Sequence, residues 1–194
     1  MAKHAIRDEL SAVLAFVGFI WLVFIIEYIP GLQLENYGIV PRTTAGLIGI
    51  VAAPFLHANL GHIINNTIPL TVLLVLLAGS RAASWAIVLS IVLLSGALLW
   101  LFGRPAIHIG ASSLIYGLVA YLFVSGIREQ RIVPLAIAVL VGFLYGGTLA
   151  SGILPRWGSY ISWDGHLFGA VAGALVAYIM TREIDTSGTR PQTF

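Results

Sequence analysis

Hydrophobic residues along this chain fall into six long apolar stretches, which charged residues and short polar segments separate. A helix of about 20 apolar residues is long enough to cross the hydrocarbon core of a bilayer, which is about 30 Å thick. The stretches cover residues 10–29, 57–80, 82–103, 112–127, 132–154 and 165–181. This pattern predicts an all-α, polytopic membrane protein with a bundle of six transmembrane helices.

The composition agrees with a chain that lies in lipid. Hydrophobic residues make up 59% of it and charged residues only 9%, which is too few to cover a water-exposed surface. There is no cysteine, so disulfides, thiol catalysis and cysteine-ligated zinc are excluded. The net charge of +2 gives no reason to expect a nucleic-acid partner.

The distribution of basic residues predicts the orientation of the bundle. With the amino terminus inside, seven basic residues lie on the cytoplasmic side and three lie outside, as the positive-inside rule requires. The seven are Lys3, Arg7, Arg81, Arg128, Arg131, Arg182 and Arg190, and the three are Arg42, Arg104 and Arg156. We therefore expect both termini in the cytoplasm, a helical domain over residues 1–181, and a short cytoplasmic tail over residues 182–194.

Two segments precede the second apolar stretch: the first stretch and the connection that follows it. The first apolar stretch is long for a signal peptide and no small-residue cleavage site follows it, so we interpret it as a transmembrane helix. The connection over residues 30–56, which contains Pro30, Pro41 and Pro54, carries few charges. We expect it to lie in the membrane interface.

Polar residues stand at the start of the second and sixth stretches. His62 and Asn66 are four residues apart and share a helix face, whereas His57, five residues before His62, should point elsewhere on a continuous helix. In the sixth stretch His166, Gly169 and Gly173 share a face, and a Gly-x-x-x-Gly pair lets another backbone approach closely. The alternative is that these polar groups only join helices through hydrogen bonds.

The fourth stretch opens with Gly110-Ala111-Ser112-Ser113, and Tyr116 follows Ser112 by one helical turn. We interpret Ser112 as a nucleophile, although serine hydroxyls in membrane helices commonly bond to their own backbone. Depth supports the interpretation. Ser112 and His166 each precede a cytoplasmic arginine by sixteen residues and Asn66 precedes one by fifteen, so all three lie about 22–24 Å above the inner boundary.

The residues that other hydrolytic mechanisms require are absent from the sequence. There is no His-Glu-x-x-His run for a zinc protease, and no pair of intramembrane aspartates for an aspartyl protease. Asp164 is two residues from His166, about 200° around an ideal helix, so it does not complete a triad. A Ser–His dyad remains. A channel or transporter would continue its polar residues towards the cytoplasm, whereas the fourth and sixth stretches are almost purely apolar below Tyr116 and Gly173.

Taken together, the three motifs resemble those of the rhomboid intramembrane serine proteases. They are His57-x4-His62-x3-Asn66, Gly110-Ala111-Ser112-Ser113 and His166-x2-Gly169-x3-Gly173, in this order over residues 10–181. The resemblance implies Ser112 as nucleophile, His166 as general base and Tyr116 packed under its imidazole. It implies an oxyanion site made by the side chains of His62 and Asn66 with the backbone N–H of Ser112. Gly110, Gly169 and Gly173 are expected at helix contacts, and His57 is expected to be structural.

The expected activity is therefore cleavage of peptide bonds in or near the outer end of transmembrane protein substrates. No metal or other cofactor is implied, and the expected surroundings are the lipid bilayer of a prokaryotic cell membrane. Ser113 departs from the glycine that many rhomboids have at this position. The alternative is a catalytically inactive, rhomboid-like protein that binds membrane segments. The fifth stretch, with Gly142, Gly146, Gly147 and Gly152, is expected to be a loosely held gate.

Overall fold

In this computed structural model, the described part of the protein contains six helices of eighteen or more residues. The structure describes residues 6–27, 29, 31–81, 84–130, 132–155 and 162–181. The helices are α1 (Ile6–Glu27), α2 (Leu60–Ser80), α3 (Ser84–Phe102), α4 (Ser112–Glu129), α5 (Ile132–Gly152) and α6 (Trp163–Met180). The only strand-like pairing among these residues is an isolated bridge between Ile39 and His108. The predicted all-α fold is confirmed.

Several predictions concern residues outside those ranges. The tail over residues 182–194 is one of them, and so are Lys3, Pro30, Arg131 and Arg156. The division of the chain into a domain and a tail therefore stays a prediction.

Four of the six helices are long and apolar enough to cross a membrane: Asp8–Glu27 within α1, then α2, α3 and α6. Helix α5 contains an apolar segment over Ile132–Gly147. Helix α4 begins with two serines and ends with Arg128 and Glu129, and its middle is almost wholly buried, so its side chains meet protein rather than lipid. Six membrane crossings are compatible with these helices and stay a prediction.

Helix α4 is the centre of the bundle. It packs most extensively against α6 and α5, and it also contacts α2 and α3. The contact with α6 is close because Gly169 lies against the backbone of Ser113 and Gly173 lies against the backbone of Gly117, where a Cβ atom would collide. Glycine at these two positions therefore lets the two helix backbones approach each other.

The connection between α1 and α2 is folded. Its described part contains short helical segments at Leu34–Tyr37, Ala45–Leu47, Gly49–Ala52 and Ala53–Phe55. Ile50 from this connection packs against Gly96 of α3. The connection thus covers the end of the bundle where α4 begins, and its place in the membrane interface remains a prediction.

Ionic and hydrogen-bonded contacts join the helices at the opposite end of the bundle. Arg81 forms an ion pair with Glu129 at 2.5 Å, and Arg128 Nε donates to Thr181 Oγ1 at 3.2 Å. The Ser84 hydroxyl also donates to the carboxylate of Glu9. The contacts of Arg81 with Glu129 and of Arg128 with Thr181 therefore lie at the end of α4 that is farthest from Ser112.

Candidate active site

Ser112 is the first residue of α4, and the segment before it is held by backbone hydrogen bonds. Ile39 and His108 exchange two such bonds of 2.9 Å, and the Gly110 N–H donates to the Ala53 carbonyl at 2.8 Å. Gly110 has a φ of +107°, a conformation that glycine adopts readily and other residues rarely do. The folded connection therefore fixes the position at which α4, and with it Ser112, begins.

His166 lies in the first turn of α6, on the ring of Tyr116. The two rings are stacked, with centroids 4.2 Å apart and planes only 5° from parallel. The glycine contacts between α4 and α6 bring the imidazole to this place, since Gly169 and Gly173 lie on the same face of α6 as His166. Tyr116 is one turn after Ser112, so the imidazole, the phenol ring and the serine occupy the same end of the α4–α6 pair.

The edge of the His166 ring has a second partner. Its Nδ1 lies 3.1 Å from the carbonyl oxygen of Gly152, the last residue of α5. Between Ser112 and His166, both in the described part of the chain, there is no hydrogen bond. Catalytic hydrogen bonds are often long in enzymes without substrate and tighten in the complex, so this spacing is compatible with a dyad.

His62 and Asn66 approach the chain just before Ser112. A Cβ atom on Gly110 would lie 2.5 Å from His62 Nε2 and 3.4 Å from Asn66 Nδ2. Both side-chain nitrogens are therefore within reach of the backbone two residues before Ser112. Gly110 precedes α4, and its missing side chain leaves room for the His62 imidazole of α2.

The prediction that His57 points away from His62 and Asn66 is wrong. Asn66 Nδ2 lies 3.0 Å from His57 Nε2, and the rings of His57 and His62 meet edge to face with centroids 4.9 Å apart. The reason is the helix boundary. Helix α2 begins at Leu60, after Asn59, whose extended backbone and side chain cap it. His57 thus lies before the helix begins, where helical spacing does not apply.

His57 is buried and neutral. Burial lowers the pKa of His57 from its ordinary value of 6.5 to about 4, and the neighbouring His62 contributes to this in the same direction. A neutral imidazole has one ring nitrogen that accepts, so the Asn66 amide donates to His57 Nε2. His57 therefore fixes the orientation of the Asn66 side chain.

A second polar cluster joins the segment before Ser112 to the start of α6. The Arg104 backbone N–H donates to Asp164 Oδ2 at 2.9 Å, and the Arg104 guanidinium lies 3.4 Å from Oδ1. His108 Nδ1 lies 2.7 Å from Ser162 Oγ, which caps α6 by accepting the Gly165 N–H. From the sequence, Asp164 was considered only as a possible third member of a catalytic triad, and it was excluded from that role. The Ser-x-Asp pattern at a helix start was the available signal for this cap.

The hydroxyl of Ser113 differs from its neighbour in surroundings. Ser113 Oγ is buried and has no hydrogen-bond partner among the described residues, whereas its carbonyl lies against Gly169. Among the same residues no three histidine, aspartate or glutamate side chains are placed to hold a metal ion. Besides the Ser112 hydroxyl, this end of the bundle carries imidazoles, the Asn66 amide and the ion pair of Arg104 with Asp164.

Comparisons with known proteins identify the family. A rhomboid domain model matches residues 44–183. An uncharacterised protein of Mycobacterium tuberculosis is 42% identical over 181 residues, which are 88% of this chain and 75% of that protein. An uncharacterised protein of Mycobacterium leprae is 38% identical over 193 residues, covering 91% of this chain and 76% of that protein. The chain is therefore an integral membrane protein that belongs to the rhomboid family.

Proposed function

We propose that this protein is an intramembrane serine protease in which Ser112 is the nucleophile and His166 is the general base. The observation that carries the proposal is the stacking of the His166 imidazole on Tyr116, one helical turn from Ser112. A histidine that only joined helices would have no need of an aromatic ring stacked on it. The proposed substrates are transmembrane proteins.

The proposed reaction follows the two steps of serine proteases. Ser112 Oγ attacks the carbonyl carbon of the scissile bond while His166 Nε2 takes its proton, and the protonated imidazole then gives that proton to the leaving amine. Water hydrolyses the acyl-enzyme in the second step by the same proton transfers.

The negative charge that develops on the substrate oxygen needs hydrogen-bond donors. In the proposal these are the side chains of His62 and Asn66 together with the backbone N–H of Ser112. The approach of His62 and Asn66 to Gly110, two residues before Ser112, supports this assignment. Each donor of this kind is typically responsible for a factor of about 10²–10³ in rate.

Access to the site is proposed from the outer side of the membrane. The positive-inside bias puts the end of α4 that carries Arg128 in the cytoplasm and Ser112 near the outer face. Water would then reach the dyad from outside without passing the apolar lower halves of the helices. The proposed location is a prokaryotic cell membrane with both termini in the cytoplasm.

The test is labelling of the purified protein by a fluorophosphonate, which reacts only with an activated serine, together with cleavage of a transmembrane substrate. The wild type should be labelled and should cleave, and Ser112→Ala should do neither. Ser113→Ala and Ser113→Gly are the matched controls. They remove a hydroxyl that has no hydrogen-bond partner in the described part of the chain and leave the backbone contact with Gly169 in place, so both should keep most of the activity.

Two results would overturn the proposal. Labelling and cleavage that persist in Ser112→Ala would assign the chemistry to another residue. A folded wild type that binds transmembrane segments but is never labelled would favour the alternative, a catalytically inactive rhomboid-like binder.

A further inference from the structure

The His166 imidazole is held by two elements other than its own helix. Tyr116 of α4 lies flat against its face, and the Gly152 carbonyl of α5 lies 3.1 Å from Nδ1. A carbonyl oxygen can only accept, so in the neutral imidazole the proton of this hydrogen bond belongs to Nδ1. Nε2 is then the unprotonated nitrogen, which is the one a general base needs.

The position of this carbonyl in α5 suits a partner for the base. Gly152 ends the helix, and the last carbonyls of a helix have no intrahelical partner. They also carry the partial negative charge of the helix dipole, which stabilises a cation near the carboxyl end. The carbonyl is thus free to accept the Nδ1 proton, and it favours the imidazolium that forms when His166 has taken the serine proton.

The glycine at this position is required by the contact with Tyr116. A Cβ atom on Gly152 would collide with the Tyr116 hydroxyl, so any other residue has to displace the end of α5 or the phenol ring. Gly146 and Gly147 of the same helix have no neighbouring atom within 4 Å of an added Cβ. From the sequence, these glycines were all expected to make α5 a loosely held gate, whereas in the structure Gly152 packs tightly against Tyr116.

The contacts of α5 with its neighbouring helices differ along its length. Near its start it packs against α4, where Gly126 lies against Pro134 and Ala138. Further along, an apolar cleft of about 450 Å³, which Gly142 and Gly146 line, lies between α5 and the other two helices, α4 and α6. The contact of Gly152 with His166 and Tyr116 therefore closes the far end of a helix that is open in its middle.

We propose that the carboxyl end of α5 positions the base: the Gly152 carbonyl holds His166 with its proton on Nδ1, so that Nε2 accepts the Ser112 proton only while α5 is seated against Tyr116. Gly152 is a positioning residue, since it acts through His166. The inference rests on the proposed function, because the tautomer affects the rate only if His166 exchanges a proton. It follows that a displacement of α5 which admits a substrate must be reversed before the serine is acylated.

The experiment reads the tautomer directly. Protein labelled with ¹⁵N-histidine, in lipid bilayers at slightly alkaline pH, gives imidazole nitrogen signals, and His166→Ala assigns those of His166. We expect a protonated Nδ1 and an unprotonated Nε2 in the wild type. In Gly152→Ala this single tautomer should be lost and the rate of fluorophosphonate labelling should fall at least about tenfold, since general-base assistance is removed. Gly147→Ala, a change into open space, should match the wild type in both measurements.

Two outcomes would overturn the inference: a wild type whose His166 carries its proton on Nε2, or a Gly152→Ala protein with the wild-type tautomer and labelling rate. If Gly152→Ala does not fold, the wild-type spectrum alone decides. The spectrum needs no catalysis, so the two proposals fail separately. A protein that is never labelled overturns the proposed function, whereas a labelled protein with the proton on Nε2 overturns only the role of Gly152.

Discussion

Asn66 contacts two groups that face it from different sides. Its amide donates to the buried His57, and the same nitrogen lies near Gly110, where the proposed oxyanion would be bound. The amide carries two N–H groups, so one can hold the side chain in place while the other faces the substrate. The histidine that the sequence assigned to structure alone thus supports a residue of the proposed site.

Replacing Asn66 by alanine should therefore have two effects. The rate of substrate cleavage should fall by about 10²–10³, because one oxyanion donor is lost while His62 and the Ser112 N–H remain. The protein should also unfold more easily, by about 1–3 kcal/mol, because buried His57 Nε2 loses its close partner. Asn65→Ala is the control, since Asn65 is exposed in the structure. An Asn66→Ala protein with the wild-type rate would contradict the oxyanion assignment.

Activity should decline at acid pH because a protonated His166 has no lone pair with which to accept the Ser112 proton. The measurement is the initial rate of cleavage between neutral pH and pH 5 in bilayers. A rate that stays flat over this interval, in a protein that remains folded, would contradict the role of His166 as base.

Stability has its own dependence on pH, which must be measured beside the rate. The pKa of His57 is about 4 in the folded protein, lowered by burial, and 6.5 is its ordinary value. A lowered pKa means that the folded state binds the proton less readily than the unfolded state. The contribution of neutral His57 to the free energy of unfolding is therefore fully present above pH 6.5 and is lost progressively as the pH falls towards 4. Thermal unfolding across this window separates the two effects, because His57→Gln should weaken this part of the pH dependence and leave the acid loss of cleavage in place.

At the scale of elements, the contact between α4 and α6 holds the dyad residues together. Gly173→Ala puts a methyl group against the backbone of Gly117, so the helices must separate and the protein should lose about 1–3 kcal/mol of stability. Gly146→Ala adds the same methyl group to open space in α5 and should be neutral or slightly stabilising. Thermal unfolding of both variants tests this, and equal melting temperatures would show that the glycine contact does not hold the two helices.

Helical periodicity and residue spacing predicted much of this arrangement. Apolar length located the six helices, and the spacing of Gly169 and Gly173 with His166 indicated a close contact on the face that carries the imidazole. The same spacing misplaced His57, because a wheel assumes a continuous helix and the cap at Asn59 interrupts it. The Gly152 carbonyl has no signal in the sequence, since a backbone oxygen is present at every residue and only the fold selects one.

At the scale of the whole molecule, the two ends of the bundle differ in chemistry. One end gathers the histidines and Asn66 around Ser112, next to the ion pair of Arg104 with Asp164. The other end carries the ion pair of Arg81 with Glu129 and the hydrogen bond of Arg128 with Thr181. Three separate helices place their polar residues at the first end, although the residues are far apart in sequence. This convergence was predicted from the distances to the arginines, because helical rise converts residue counts into depth.

The last prediction concerns where a substrate is cut. A peptide bond inside an intact transmembrane helix has its carbonyl engaged in a hydrogen bond, so Ser112 can attack only a segment that has unwound. Unwinding costs least near the end of a helix and next to glycine, proline or other weak helix formers. We therefore expect single-pass proteins to be cut at or just inside their outer end, beside small residues. Mass spectrometry of the products maps the site, and a substrate whose helix-breaking residues are replaced by leucine is the control that should resist. Cleavage near the cytoplasmic end, or equal cleavage of the leucine variant, would rule out a proteolytic site at the depth of Ser112.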